Sequence, residues 1–202
     1  MSLPAFRELR ACRGSELTVT GPDHTALPPI AVLIVDDHGS SARQLARLLQ
    51  HWGAAKVATA ATLTAAISVL EQHQAPLLVL VESGPGTITS PALALWVAAR
   101  SAIRKQTVVA AYPTADQGEV KRRLSHFLEL LCHEPKHRQQ VFGTLAATQH
   151  VDAELIKLCE RGGAACETVH ALVYDAHLSK HLTIDELHAA LQPLAERVAL
   201  LD

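Results

Sequence analysis

The chain has 202 residues, a formal net charge of −2 and an isoelectric point near 6.6. Apolar residues make up 49% and charged residues 19%, enough for a core and too little charge for a disordered chain. No basic stripe occurs and aromatics are only 3%, which argues against a nucleic-acid partner.

Residues 1–29 read as an arm or linker, broken by Gly14, Gly21, Pro22, Pro28 and Pro29. Ala31 to Val35 is then an unbroken apolar run, the pattern of a strand buried on both faces of a parallel sheet. It runs straight into Asp36, Asp37 and His38. Acids at the carboxyl end of such a strand are either a divalent-cation site or a helix N-cap pair. Gly39-Ser40-Ser41 reads as a turn with a cap before a helix carrying Leu45, Leu48, Leu49 and Trp52, which stops at Gly53.

Lys56 to Ala60 is a short strand candidate, and Thr62 to His73 is helical through Leu63, Ala66, Ile67 and Leu70. Leu77 to Val81 is a second buried strand, ending at Glu82 and the turn Ser83-Gly84-Pro85-Gly86. Ser90-Pro91 opens a helix that runs to Ile103. Thr107 to Ala111 is a buried strand ending at Tyr112-Pro113, followed by an amphipathic helix over 116–127. Leu128 to Cys132 is expected to be the last strand of the series, ending at His133-Glu134-Pro135, with a helix from His137 to Thr148 behind it. Alternation of this kind with short connections calls for right-handed crossovers and a doubly wound parallel sheet.

The rest, 149–202, reads as an α-β-α appendage that packs on or extends that sheet. It comprises a helix from Asp152 to Arg161, a strand from His170 to Tyr174, and a last helix from about Ile184. Thr183-Ile184-Asp185-Glu186 has the form of a capping box.

Val32-Leu33-Ile34-Val35-Asp36-Asp37-His38, then Ser40-Ser41-x-Arg43-x-Leu45 and Leu49-x-x-Trp52-Gly53, resembles the receiver domains of two-component signalling, in particular those within hybrid sensor histidine kinases. The resemblance covers roughly residues 30–148. It implies a flavodoxin-like, five-stranded (βα)5 fold in which the acid pair binds Mg2+, an Asp ending the third strand accepts phosphate, a Ser or Thr ends the fourth strand, and a Lys before Pro ends the fifth.

Placed on this chain, the acid pair is Asp36 and Asp37, the candidate metal ligands. Counting back from Pro85-Gly86 puts Val81 at the phosphoacceptor position, and a one-residue slide puts Glu82 there. Tyr112 holds the hydroxyl switch position, or Thr114 if the loop shifts, and Glu134 stands where the Lys belongs. Phosphoryl transfer needs an oxygen nucleophile in line and cations around the spreading charge. Val81 has no nucleophile, and the extra methylene of Glu82 displaces its oxygens by about 1.5 Å, a misplacement of the scale that costs about 100-fold in rate. Glu134 reverses a charge beside an acidic cleft.

The implied function is a pseudo-receiver, a phosphorylation-independent docking module of a two-component or phosphorelay system, without enzyme activity. No cofactor is expected beyond Mg2+ at Asp36 and Asp37. A histidine kinase or other signalling protein is the expected partner, met through the helix at 116–127 and the face near Tyr112; a homodimer is a further option. Two alternatives stand beside it: a phosphorylatable receiver with altered acceptor geometry at Asp36, Asp37 or Glu82, and a metal or small-ligand sensor on the same fold.

The cysteines, Cys12, Cys132, Cys159 and Cys166, form no C-x-x-C pair, and no apolar run is long enough for a membrane helix. A cytoplasmic location is expected. His177 and His181, four apart, would share a face if they lay on a helix. Leu172 to His177 echoes Leu33 to His38, which makes Asp175 a further, weaker acceptor candidate.

Overall fold

The computed structural model describes residues 26–83, 89–114, 117–133, 136, 173–179 and 181–201. Its described elements are β1 (Ala31–Val35), α1 (Gly39–His51), β2 (Lys56–Ala60), α2 (Leu63–Gln72), β3 (Leu77–Glu82), α3 (Thr89–Ala99), α4 (Ser101–Lys105), β4 (Thr107–Thr114), α5 (Gln117–His133), β5 (Ala176–Ser179) and α6 (Ile184–Ala199).

The strands form one parallel sheet in the order β2-β1-β3-β4-β5. This is the doubly wound flavodoxin-like order, whose direction of winding reverses between β1 and β3. The central runs are buried on both faces because helices cover both. Val32, Ile34, Leu78, Leu80, Val108 and Ala110 meet α1 and α6 on one side. Leu33, Val35, Val79, Val81, Val109 and Ala111 meet α2, α3 and α5 on the other. Burying each such side chain fully contributes about 1.5–3 kcal/mol, so the three central strands anchor the fold. In α3, Ala92 to Val97 are all fully buried, as a helix apolar all round must be.

Several ends follow from single residues. Gly53 stops α1 with φ +106°, and a Cβ there would stand 3.1 Å from the Leu27 carbonyl oxygen. Leu27 itself is buried and its N–H donates to the Trp52 carbonyl at 2.7 Å. The described end of the expected linker is therefore fastened beneath α1. Thr62 caps α2, accepting from the Ala65 N–H. The expected capping box at α6 is present with both of its bonds.

Two expectations need correction. The helix expected from Ser90 to Ile103 breaks at Arg100, whose N–H turns back to the Val97 carbonyl while its guanidinium lies 4.5 Å from the centre of the Trp96 ring. More consequentially, Leu128 to Cys132 is not a strand; those residues continue α5. Val120, Leu124 and Phe127 are buried at helical spacing, and Leu131 continues that spacing in the sequence. A short apolar run does not by itself distinguish a strand from a helix turn. The fifth strand comes instead from the C-terminal segment, which extends the sheet as expected of it. The strand lies at 176–179 rather than 170–174.

Asp175 sets that register. Its backbone N–H donates to the Val109 carbonyl at 2.7 Å, and its carboxylate accepts the Val109 N–H at 2.8 Å. The arm at 1–25, the helices expected at 137–148 and 152–161, and Glu134 lie outside the described residues.

Candidate functional site

The reversal between β1 and β3 places the carboxyl ends of these strands at the position where doubly wound sheets bind ligands. Val35 pairs with Val81, Val81 with Ala111, and Glu82 with Tyr112. Asp36, Glu82 and Tyr112 therefore stand one residue beyond the last fully apolar level. Alternation along the strands puts these three on the α1/α6 side.

Asp36 is only 4% exposed. One carboxylate oxygen, Oδ1, accepts the His38 N–H at 2.7 Å. This closes an Asx turn just ahead of α1. The other, Oδ2, accepts the Tyr112 hydroxyl at 3.1 Å. Tyr112 belongs to β4 and Asp36 follows β1, with β3 between them. The phenol therefore lies across the carboxyl end of β3 to reach its partner. A bulge between Ala111 and Thr114 interrupts the pairing of β4 with β5 beside it, a distortion of the kind that re-aims a side chain at a sheet end.

The electrostatics keep this phenol neutral. Burial pushes the Tyr112 pKa well above its ordinary value; the Asp36 charge, the bond to Asp36 and the Glu82 charge push it further the same way. Tyr112 is thus a neutral donor to a buried carboxylate throughout the physiological range.

Asp37 is exposed and meets the His38 imidazole, Nδ1 to Oδ1, at 2.7 Å. His38 is the N-cap of α1 and makes no side-chain cap bond, so neither acid caps the helix in the strict sense. Asp36, Asp37 and His38 bring one ligand atom each within 4.8 Å of one another. Of the two acceptor candidates, Val81 is fully buried in the apolar layer with Val35 and Ala111, while Glu82 is half-buried beside Tyr112. Arg123 of α5 donates to the Ser83 carbonyl at 3.0 Å and so ties α5 to the segment leaving β3.

The remaining candidates separate from this site. His177 lies in β5, not on a helix, so it does not share a helix face with the exposed His181. Asp175 precedes its strand, whereas Asp36 follows one. It is bound by Arg104 through two bonds of 2.7 and 3.0 Å and by Arg197 at 2.8 Å, with its side chain 4% exposed. It sits toward the start of β4, at the sheet end away from Asp36. Burial pushes its pKa up, but the Arg104 bonds, the Val109 N–H and the charges of Arg104 and Arg197 hold it below the usual carboxylate value. These contacts make Asp175 a structural clamp between α4, β4 and α6. Neither the clamp nor the Tyr112–Asp36 bond is visible in sequence, because the bonds of Asp175 to Arg104 and Val109 and that of Tyr112 to Asp36 each join residues more than 65 positions apart.

No protein-family model matches the chain, and no curated protein matches it in sequence. Solved structures do match. The sheet order and the helices on both faces define a flavodoxin-like α/β protein. Within that class the fold is that of a response-regulator receiver: the chain is similar to the crystal structure of a response regulator receiver domain protein from Clostridium thermocellum, with a TM-score of 0.50 and 12% identity, covering 86% of this chain and 99% of that one. Among the described residues no helix is long and apolar enough to cross a membrane.

Proposed function

We propose that this protein is a pseudo-receiver: a cytoplasmic docking module of a two-component or phosphorelay system that works without being phosphorylated and catalyses no reaction. The observation that carries the reading is the Tyr112 hydroxyl on Asp36, 3.1 Å apart across the end of β3. The phenol reaches across the carboxyl end of β3, the side from which a phosphoryl donor would approach. Beneath it, Val81 offers no nucleophile and is fully buried.

Mg2+ would fit poorly. It demands near-octahedral oxygen ligation at about 2.0–2.1 Å. Both Asp36 oxygens are already accepting hydrogen bonds, and Asp37 is turned to His38. A cation would have to strip these contacts from a buried carboxylate. The partner is a histidine kinase or another signalling protein that reads the fixed surface of the module rather than a switched one. A ligand that binds two states equally shifts neither, so a module with its site filled acts by constant affinity.

Acetyl phosphate with Mg2+, followed by intact-mass spectrometry, tests this directly. The expected result is unmodified protein, with no change in Tyr or Trp fluorescence on adding beryllofluoride and Mg2+. A phosphoryl adduct on Asp36, Asp37 or Glu82 would replace the docking-only reading with that of a working receiver. The cluster of Asp36, Asp37 and His38 favours one other reading, a metal sensor, and calorimetry that shows no heat at millimolar Mg2+ or Ca2+ removes it.

A further inference from the structure

The sheet face covered by α1 and α6 presents two helices of opposite charge. On α1 the exposed charged positions are Arg43, Arg47 and His51, at i, i+4 and i+8, and the helix contains no acid at all. They form a row about 12 Å long. Among the described residues none of the three side chains has a hydrogen bond or ion pair. A surface helix ordinarily interleaves its cations with acids at these spacings, so a bare cationic row is a surface lacking its counterpart.

The counterpart is on the neighbouring helix. α6 exposes Asp185, Glu186 and Glu196, with the small or flat residues Ala189 and Pro193 between them. The arginine of this helix, Arg197, is engaged on Asp175. Past its end, Leu200 and Leu201 are the large apolar residues that stand exposed among the described residues, Leu200 at 83%. The two helices lie on the same face: both pack on one apolar layer, and the Trp52 and His188 rings meet edge to face at 5.0 Å.

A face with one cationic and one acidic half is complementary to itself. A two-fold axis running between the helices lays α1 of one copy over α6 of the other, twice, as an isologous interface requires. We propose that the α1/α6 face is the homodimer surface of this protein, the occupant being a second copy of the same chain. Two helices of this length, each about 10 Å wide, cover roughly 400 Å2 per copy, half the standard figure of about 800 Å2. The dimer is accordingly weak, micromolar or weaker, and salt-sensitive, because exposed pairs are screened beyond about 10 Å at 0.1 M salt.

The test is sedimentation equilibrium of the full chain up to about 1 mM at low and high salt. It uses two variants whose substitutions avoid the Asp36–Tyr112 site and the helix caps: Arg43→Glu with Arg47→Glu, and Ala189→Lys with Glu196→Lys. The wild type dimerises at low salt, and dissociation rises at least about tenfold at high salt. Each variant alone is monomeric, since it faces itself with like charge. An equimolar mixture of the two dimerises again, because both contacts are then opposite in sign. The mixture also guards against misfolding, since a misfolded variant would not restore association. Monomeric wild type across the series, a dimer indifferent to both variants, or failure of the mixture to associate would each overturn the proposal. None of these outcomes bears on the pseudo-receiver reading, which rests on other residues.

Discussion

Replacing Tyr112 with Phe removes one oxygen and tests the central contact of the site. Asp36 is 4% exposed, and its Oδ2 takes the Tyr112 hydroxyl at 3.1 Å. Phenylalanine keeps the ring packing but withdraws that donor. A buried hydrogen bond to a charged group is worth about 1.5–3 kcal/mol, and leaving the acceptor unsatisfied incurs its desolvation penalty. The expected loss is therefore about 2–3 kcal/mol, a fall in Tm of about 4–12 °C for a chain of this size. Urea unfolding followed by both fluorescence and circular dichroism gives the value, and coincident transitions license its use. Asp36→Ala and the double variant complete a cycle, with an expected coupling of at least about 1 kcal/mol. If the two single losses add to within about 0.5 kcal/mol, the phenol and the carboxylate do not act on one another and the reasoning from the site fails.

Four further outcomes are expected. Tyr112 and Tyr174 both hold their protons more tightly folded than unfolded; burial raises the Tyr174 phenol to about 12, partly opposed by its bond with Ser90. Their contribution is whole below pH 10 and lost as pH rises toward the folded values, so stability measured by urea at stepped pH should fall steeply above about pH 10. Asp175→Ala should cost about 2–4 kcal/mol by the same assay, below the range for a fully buried pair because Arg197 is half-exposed and water can take it back. With Asp175 held below the usual carboxylate value, its contribution is present above about pH 4 and lost as pH falls through the folded value; the wild type should lose this stability on acidification and Asp175→Asn should not. Thr183→Ala should lower stability by about 1 kcal/mol, since the Thr183 and Glu186 bonds at the start of α6 are both direct; an unchanged transition would mean that α6 needs no cap.

What the sequence made legible and what it hid divide along one line. The runs at 31–35, 77–81 and 107–111 declared themselves because a strand buried on both faces must be apolar throughout. Gly53 and Thr183 declared their helix ends because each uses residues within three positions. β5 did not, because only Leu178 of Ala176–Ser179 is buried and its place is set by pairing with the distant β4 and by the bonds of Asp175 to Val109. The run at 128–132 misled for the converse reason: five residues fit either period. The echo between Leu33–His38 and Leu172–His177 misled in another way. A local pattern reports strand, turn and acid, but not whether the acid precedes or follows the paired residues. That depends on the partner strand.

The two buried carboxylates are satisfied in different ways. Asp175, at one end of the sheet, is neutralised by two guanidinium groups and fixes a strand. Asp36, at the other end, is satisfied by two neutral donors, the His38 N–H and the Tyr112 hydroxyl. Two residues at that end support the arrangement. Val81 is fully buried in the apolar layer, and the Tyr112 phenol supplies the bond that satisfies Asp36 Oδ2. Replacing either alone is unfavourable. An aspartate at 81 would enter a fully apolar layer beside Val35 and Ala111, where a carboxylate protonates or destabilises the fold. A smaller residue at 112 would leave the Asp36 carboxylate without its donor. The site is therefore held together as part of the core.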